Sequence, residues 1–173
     1  MKKRIPSLLL TVLAAASCGR GRPVQSAAPP PPTPMPPPVQ LYYDNGGGIR
    51  DSTRVVIRDA ATLGEYWRQA TSTQVAPPPV PAVDFNREMA ILVAAGRLTP
   101  DDQIHVDSLL LRRELNSDGR RVETLTIVVR MIEACRKFRA EAFPVEIVRA
   151  RKFEGPIKWD ERKDPVCRDE QPD

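Results

Sequence analysis

The stretch "PAVDFNREMAILVAAG", residues Pro81–Gly96, decides the fold of this 173-residue chain. Its second half, Met89–Ala95, is an unbroken apolar run that ends at a glycine. An apolar run of this length between turn-forming residues predicts a strand that is buried on both faces. Just before this run, the Asp84 carboxylate can accept backbone N–H groups and so fix the turn that leads into the strand.

The sequence on either side predicts more strands and one helix. β-Branched and apolar residues indicate strands at 53–58, 103–111, 122–132 and 143–151, and an edge strand at 156–159. Asp59 can cap a helix that ends at Ala70, with Leu63 and Trp67 on its apolar face and Trp67 as its anchor in the core. We therefore expect a β-rich α+β domain at residues 49–167, with a mainly antiparallel sheet of about five to six strands and one packed helix.

The N-terminus predicts export. A basic start, the apolar run Leu8–Leu13 and small residues before Cys18 form a signal peptide over residues 1–17. Ala15–Cys18 resembles the lipobox of bacterial lipoproteins, which implies cleavage before Cys18 and its modification by lipid, including acyl chains such as palmitate. Gly19 in the next position, rather than an aspartate, favours the outer membrane. The alternative is a secreted protein in which Cys18 is unmodified.

Residues 18–48 predict a lipidated N-terminus followed by a disordered linker. Prolines dominate the run Pro29–Pro38 and cannot donate backbone hydrogen bonds. In the polyproline II conformation this run is a semi-rigid spacer of roughly 30 Å. The glycines at 46–48 then indicate a flexible joint or a tight turn.

The charge of the chain does not support a nucleic-acid footprint once the leader is removed. The whole sequence has 26 Lys and Arg against 22 Asp and Glu, but three of the bases and none of the acids lie in residues 1–17. The remaining chain has 23 bases against 22 acids, a net charge of +1. Nucleic-acid binding calls for a strongly basic surface. Two basic runs, 136–139 and Arg149–Lys152, are either solvated strand faces or a site for an anionic partner.

Four segments together resemble the PrcB family: "LGEYWRQAT" (Leu63–Thr71), Pro81–Gly96, "IHVDSLLL" (Ile104–Leu111) and "FPVEIVRA" (Phe143–Ala150). The family is named for a lipoprotein subunit of a surface protease complex. The resemblance implies an exported, non-catalytic domain that stabilises or docks a partner protein, such as an envelope protease, and that needs no cofactor.

The chain departs from the family after the strand that ends at Gly96. The family commonly has a Pro-Thr-Gly-Gly-aromatic turn there, whereas this chain has Arg97–Gln103. This departure makes Arg97, Thr99, Asp101 and Asp102 the candidate partner-contact residues. Since Asp101 and Asp102 are successive, we expect their side chains to diverge.

Catalytic motifs are absent from the sequence, so we predict that the protein is not an enzyme. The single histidine, His105, would share a strand face with Asp107, and the two are candidate metal ligands. A stable zinc site uses three or four ligands, so a solvated face is the competing interpretation. The alternative function is a small-ligand or metal-binding envelope domain that uses the Thr99–Asp107 loop.

The other two cysteines, Cys135 and Cys167, form an even remainder in an oxidising compartment if Cys18 carries lipid. We predict a disulfide between them, with residues 168–173 as a disordered tail. The alternatives are two free thiols, or a tail that is too disordered to pair.

Overall fold

Strand β4, Glu88–Ala95, lies at the centre of the fold. The computed structural model describes residues 30–115, 118–135 and 139–165. Along β4, Met89, Ile91 and Val93 face one hydrophobic core, and the small residues Ala90 and Ala94 face another together with Leu92. All six side chains are fully buried. The predicted strand with two buried faces is confirmed.

Within the described residues, eight strands form two four-stranded sheets. The first sheet has the order β1-β5-β6-β8, and the second has the order β2-β7-β4-β3. Their bounds are β1 Thr33–Pro34, β2 Val39–Asp44, β3 Ser52–Ile57, β5 Gln103–Leu115, β6 Arg121–Glu133, β7 Val145–Arg151 and β8 Ile157–Pro165. Neighbouring strands are antiparallel except β6 and β8, which are parallel. The β-rich α+β class is confirmed, but the single sheet of five to six strands is wrong, because periodicity locates strands without indicating which of them pair.

Helix α1, Ala60–Ala70, has the predicted cap and the predicted buried face. The Thr62 N–H donates to Asp59 Oδ1 over 2.8 Å, which satisfies one of the free donors of the first turn. Leu63, Trp67 and Ala70 are buried, and Trp67 is the expected core anchor. Its indole Nε1–H donates to the Pro78 carbonyl over 2.9 Å, so the same side chain fixes the proline-rich loop after the helix.

The molecule has three layers, with the second sheet in the middle. Helix α1 packs on one face of this sheet through a core that includes Ile57, Leu63, Trp67, Leu92 and Ile147. The first sheet packs on the other face through a separate core, to which β5 contributes Ile104 and Leu109 and β6 contributes Leu125 and Ile127. The middle sheet is therefore apolar on both sides, which explains why β4 is a continuous apolar run rather than an alternating one.

The predicted linker at residues 18–48 is wrong from residue 33 onward. Thr33–Pro34 pairs with β5, and the Met35 N–H donates to the Leu109 carbonyl over 2.8 Å. Val39–Asp44 forms the edge strand beside β7. The strand beside β5 tolerates prolines because it lies at the edge of its sheet, where one side makes no ladder bonds. Thr33 and Met35 supply N–H groups between its prolines. The leader 1–17 and the tail 168–173 lie outside the described residues.

Two glycines and one aspartate shape the connections. A Cβ on Gly48 would overlap Ser72 Oγ and the Gln69 carbonyl, so the predicted flexible joint or tight turn includes a close contact with the end of α1. Gly96 ends β4 with a φ of +74°, a left-handed conformation that favours glycine. Before β4, Asp84 Oδ1 accepts the Asn86 N–H over 3.1 Å, which confirms that Asp84 fixes this turn.

Candidate functional site

Residues 96–102, here called the β4–β5 loop, contain all four predicted contact residues. Leu98 exchanges two backbone hydrogen bonds with Ala142, each 2.9 Å long, and this bridge ties the loop to the chain before β7. A second tie comes from Asn45, whose side-chain amide donates to the Pro100 carbonyl over 2.8 Å. The loop is therefore held from both sides by segments distant in sequence.

Asp102 is a structural residue and not a partner contact. Its side chain is buried, with 1% of the residue exposed. Oδ2 accepts the Thr99 backbone N–H over 3.0 Å and the Thr99 hydroxyl over 2.8 Å, and Oδ1 accepts the Ala134 N–H over 2.8 Å. The prediction that Asp102 contacts a partner is wrong, because this carboxylate closes the loop and joins it to the end of β6.

The other three candidates differ in how accessible they are. Arg97 and Asp101 are exposed, and Arg97 Nε lies 3.3 Å from Glu141 Oε1 in a surface ion pair. Thr99 is half-buried and its hydroxyl is engaged by Asp102. As expected, Asp101 and Asp102 diverge. Beside them, a shallow cleft of about 320 Å³ is lined by Arg97, Leu98, Thr99, Asp102, Arg139, Ala140 and Glu141.

His105 makes contacts that the sequence did not predict. Its Nδ1 lies 3.2 Å from Glu146 Oε1, and its Nε2 lies 3.1 Å from the side-chain amide of Gln103. The imidazole stacks on the Tyr43 ring, with the ring centres 5.0 Å apart. The ring is therefore held on three sides, by β5, β7 and β2.

Asp107 makes different contacts from His105. Its carboxylate pairs with Arg130 of β6 and accepts a hydrogen bond from the Ser108 hydroxyl. The β5–β6 register shifts between Val106 and Ser108, so Asp107 lies at a bulge, but it lines the same cleft as His105. Within the described part of the chain, no three histidine, cysteine, aspartate or glutamate side chains lie close enough together to hold a metal ion.

Glu146 is the residue of this site that sequence reasoning missed. It lies in β7 of the middle sheet with only 4% of its surface exposed, and its Oε2 accepts the Val106 N–H of β5 over 2.6 Å. One carboxylate thus bridges the two sheets and also contacts His105. The available signal was a lone acid between Val145 and Ile147, in the half of β7 that is buried on both faces.

The same environment changes the acidity of neighbouring groups. Burial, then the negative charges of Glu146 and Asp44, raises the pKa of Tyr43 to about 12. Burial acts to raise the pKa of Asp44, but hydrogen bonds from Gln74, the Gly46 N–H and Tyr42 outweigh it, and the pKa is lowered. Tyr43 therefore stays protonated and Asp44 ionised over the physiological range.

The three cysteines differ in what the structure describes of them. Cys135, at the end of β6, is disulfide-bonded. Cys18 and Cys167 lie outside the described residues, so lipidation of Cys18 and the pairing of Cys135 with Cys167 stay predictions.

Comparison of the chain with protein-family models, with curated proteins and with solved structures found no match. The likeness to the PrcB family therefore rests on the residues quoted above. Over the described ranges, no helix is both long and apolar enough to cross a membrane.

Proposed function

We propose that the chain is a lipid-anchored protein of the bacterial envelope whose PrcB-like domain has no catalytic role and binds a partner protein, such as an envelope protease. The observation that carries the proposal is the β4–β5 loop. This loop presents exposed charges of opposite sign, Arg97 and Asp101, on a backbone held by the buried Asp102.

A loop of this kind suits protein recognition because its shape is set before binding. Ordering a mobile loop costs free energy at the moment of association, whereas a loop already fixed by Asp102 and Asn45 loses less. Charges at the edge of such a surface select a partner of complementary charge and speed its approach.

Two features of the N-terminus support the envelope location. The leader ends in small residues directly before Cys18, and the first strand of the domain begins only 15 residues after that cysteine. A cysteine bearing two or more acyl chains is a stable anchor. The anchor is tested by replacing Cys18→Ser, which we expect to abolish palmitate labelling and to leave the protein unlipidated. Labelling that persists in this variant contradicts the anchor.

The partner surface is tested by cross-linking the full, lipidated chain in its own envelope and identifying the captured proteins. We expect the double charge reversal Arg97→Glu with Asp101→Lys to lose a partner that the unchanged chain captures. The matched control reverses an exposed pair on helix α1, Glu65→Lys with Arg68→Glu, and also conserves net charge. Equal capture by both double variants contradicts the assignment of the β4–β5 loop.

A second candidate, binding of a small ligand or metal, is favoured by one observation. A cleft of about 330 Å³ beside His105 is lined by polar groups that include Gln40, Asp107, Arg130 and Glu146. Equilibrium dialysis with Zn²⁺ tests the metal version, with His105→Ala as the variant. Binding that His105→Ala abolishes would favour this candidate over a protein-binding role.

A further inference from the structure

A groove lies away from the β4–β5 loop, at the other end of β4 and β7. Its volume is about 840 Å³. Its lining includes four cations, Arg87, Arg149, Arg151 and Lys152, together with Pro36, Pro37 and Val39. We call it the basic groove. The run Arg149–Lys152, which the sequence left as either a solvated face or an anionic site, supplies three of the four cations.

The basic groove has a positive charge that its own acids do not cancel. Its lining contains four cations against two carboxylates, Asp84 and Glu88. Asp84 accepts the Asn86 N–H, and Glu88 Oε2 lies 3.4 Å from the Asp84 N–H, so both acids also serve the backbone of the turn. The net charge of the lining, +2, exceeds that of the whole chain after the leader, +1.

The pairing of the cations is unequal. Arg149 lies 3.5 Å from Glu88, and Lys152 lies 2.8 Å from Glu154. Arg87 and Arg151 are exposed, and within the described residues neither side chain has an ion pair or a hydrogen bond. These two guanidinium groups are therefore available to an anionic ligand without the loss of an existing bond.

The backbone positions that carry the four cations are fixed relative to one another. The Lys152 N–H donates to the Arg87 carbonyl over 2.9 Å, and Arg151 faces Glu88 across the β4–β7 ladder. Binding therefore requires ordering of the exposed side chains but not of the backbone that carries them. A guanidinium group can then donate two parallel hydrogen bonds to the oxygens of a phosphate.

The position of the groove indicates where its ligand lies. Pro36 and Pro37, in its wall, belong to the segment by which the chain enters the domain from the anchor. Between Cys18 and the first described residue, Pro30, the chain spans at most about 40 Å even when fully extended. A domain of this size is itself about 35 Å across, so the groove stays close to the membrane that holds the anchor.

We propose that the basic groove binds the phosphate headgroups of anionic phospholipids in that membrane, which holds the domain against the lipid surface. The inference rests on the proposed lipid anchor only because the anchor brings the domain to the membrane, and it does not involve the partner protein. Attachment through the anchor raises the local concentration of headgroups, so a weak site is occupied.

The test uses the chain from residue 18 to its end with Cys18→Ser, which contains every element that the structure describes. Its sedimentation with vesicles of phosphatidylglycerol and phosphatidylcholine is measured against vesicles of phosphatidylcholine alone. Because this protein has no lipid, the result does not depend on whether Cys18 is modified in the cell. We expect binding to the anionic vesicles, with about fivefold loss for each cation removed and about 25-fold for Arg87→Gln with Arg151→Gln.

Two comparisons decide the outcome. The control Arg68→Gln with Lys158→Gln removes the same charge from exposed positions elsewhere, and we expect it to change binding less than threefold. If both double variants lose the same amount of vesicle binding, the assignment to the basic groove is overturned, because any positive surface would then bind the vesicles. Soluble glycerol phosphate or a polyglutamate peptide that binds as tightly as the vesicles would overturn the assignment to a membrane. Thermal unfolding of each variant verifies that the fold is retained.

Discussion

Replacing Asp102 tests whether one buried carboxylate holds the β4–β5 loop in place. In Asp102→Ala, the backbone N–H groups of Thr99 and Ala134 lose acceptors at 3.0 and 2.8 Å, while the Thr99 hydroxyl can turn to another acceptor. A buried donor left without a partner costs about 1–3 kcal/mol. Because both N–H groups are only partly buried, we expect the free energy of unfolding to fall by about 3 kcal/mol.

The neighbouring residue provides the control. Asp101 is exposed, so we expect Asp101→Ala to change the free energy of unfolding by less than about 0.5 kcal/mol. Asp102→Asn keeps one acceptor oxygen and should fall between the two. Urea unfolding followed by the fluorescence of the buried Trp67 measures all three variants. If Asp102→Ala and Asp101→Ala are equally stable, the loop is not held by this carboxylate and the argument for a preformed contact surface fails.

Three further predictions concern other parts of the fold. Trp67→Phe removes the hydrogen bond to the Pro78 carbonyl and part of the core contact. The free energy of unfolding, measured by urea denaturation, should therefore fall by about 1–2 kcal/mol. An unchanged value would contradict the role of the indole N–H. The raised pKa of Tyr43 disfavours its ionised form in the folded state. The contribution of Tyr43 to the free energy of unfolding should therefore be fully present below pH 10 and decline as the pH rises toward 12. Tyr43→Phe should reduce that decline, and identical alkaline unfolding curves would refute this. Mass spectrometry without reduction should find Cys135 linked to Cys167, whereas separate peptides would exclude the bridge. Closing this loop should add roughly 3–4 kcal/mol to the free energy of unfolding.

Local pattern was enough to predict the elements that residue spacing alone identifies. The β4 run, the Asp59 cap and the buried face of α1 follow from residue spacing within a few turns or pleats. The division into two sheets does not, because it depends on pairing between strands such as β2 and β7 that are about 100 residues apart. Sequence periodicity contains no information on such pairings.

The same limit explains the errors at the candidate site. Arg97 and Asp101 are exposed as expected, since polar residues in a loop face solvent by default. Asp102 has the same chemistry and sequence environment as Asp101, and its burial follows from the Ala134 N–H that β6 brings to it. Glu146 was overlooked for the same reason: its partner, the Val106 N–H, lies 40 residues away at a bulge.

The prolines of the N-terminal segment predict a linker, but the residues between and after them allow strands. Thr33 and Met35 keep the N–H groups that an edge pairing needs, and Val39–Asp44 has the β-branched and aromatic residues of a strand. Proline excludes a central strand, but an edge strand requires donors on one side only.

The docking of this segment gives the protein a mechanical property. A pull from the N-terminus reaches β1 first, and β1 is held to β5 by a register of two residues. Beyond it, β2 is paired with β7 along most of its length. Under load, residues 30–38 would peel away before the sheets are disturbed, releasing at most about 30 Å of chain. We therefore expect the segment to extend under tension and to pair again with the edge of β5 when the tension is removed.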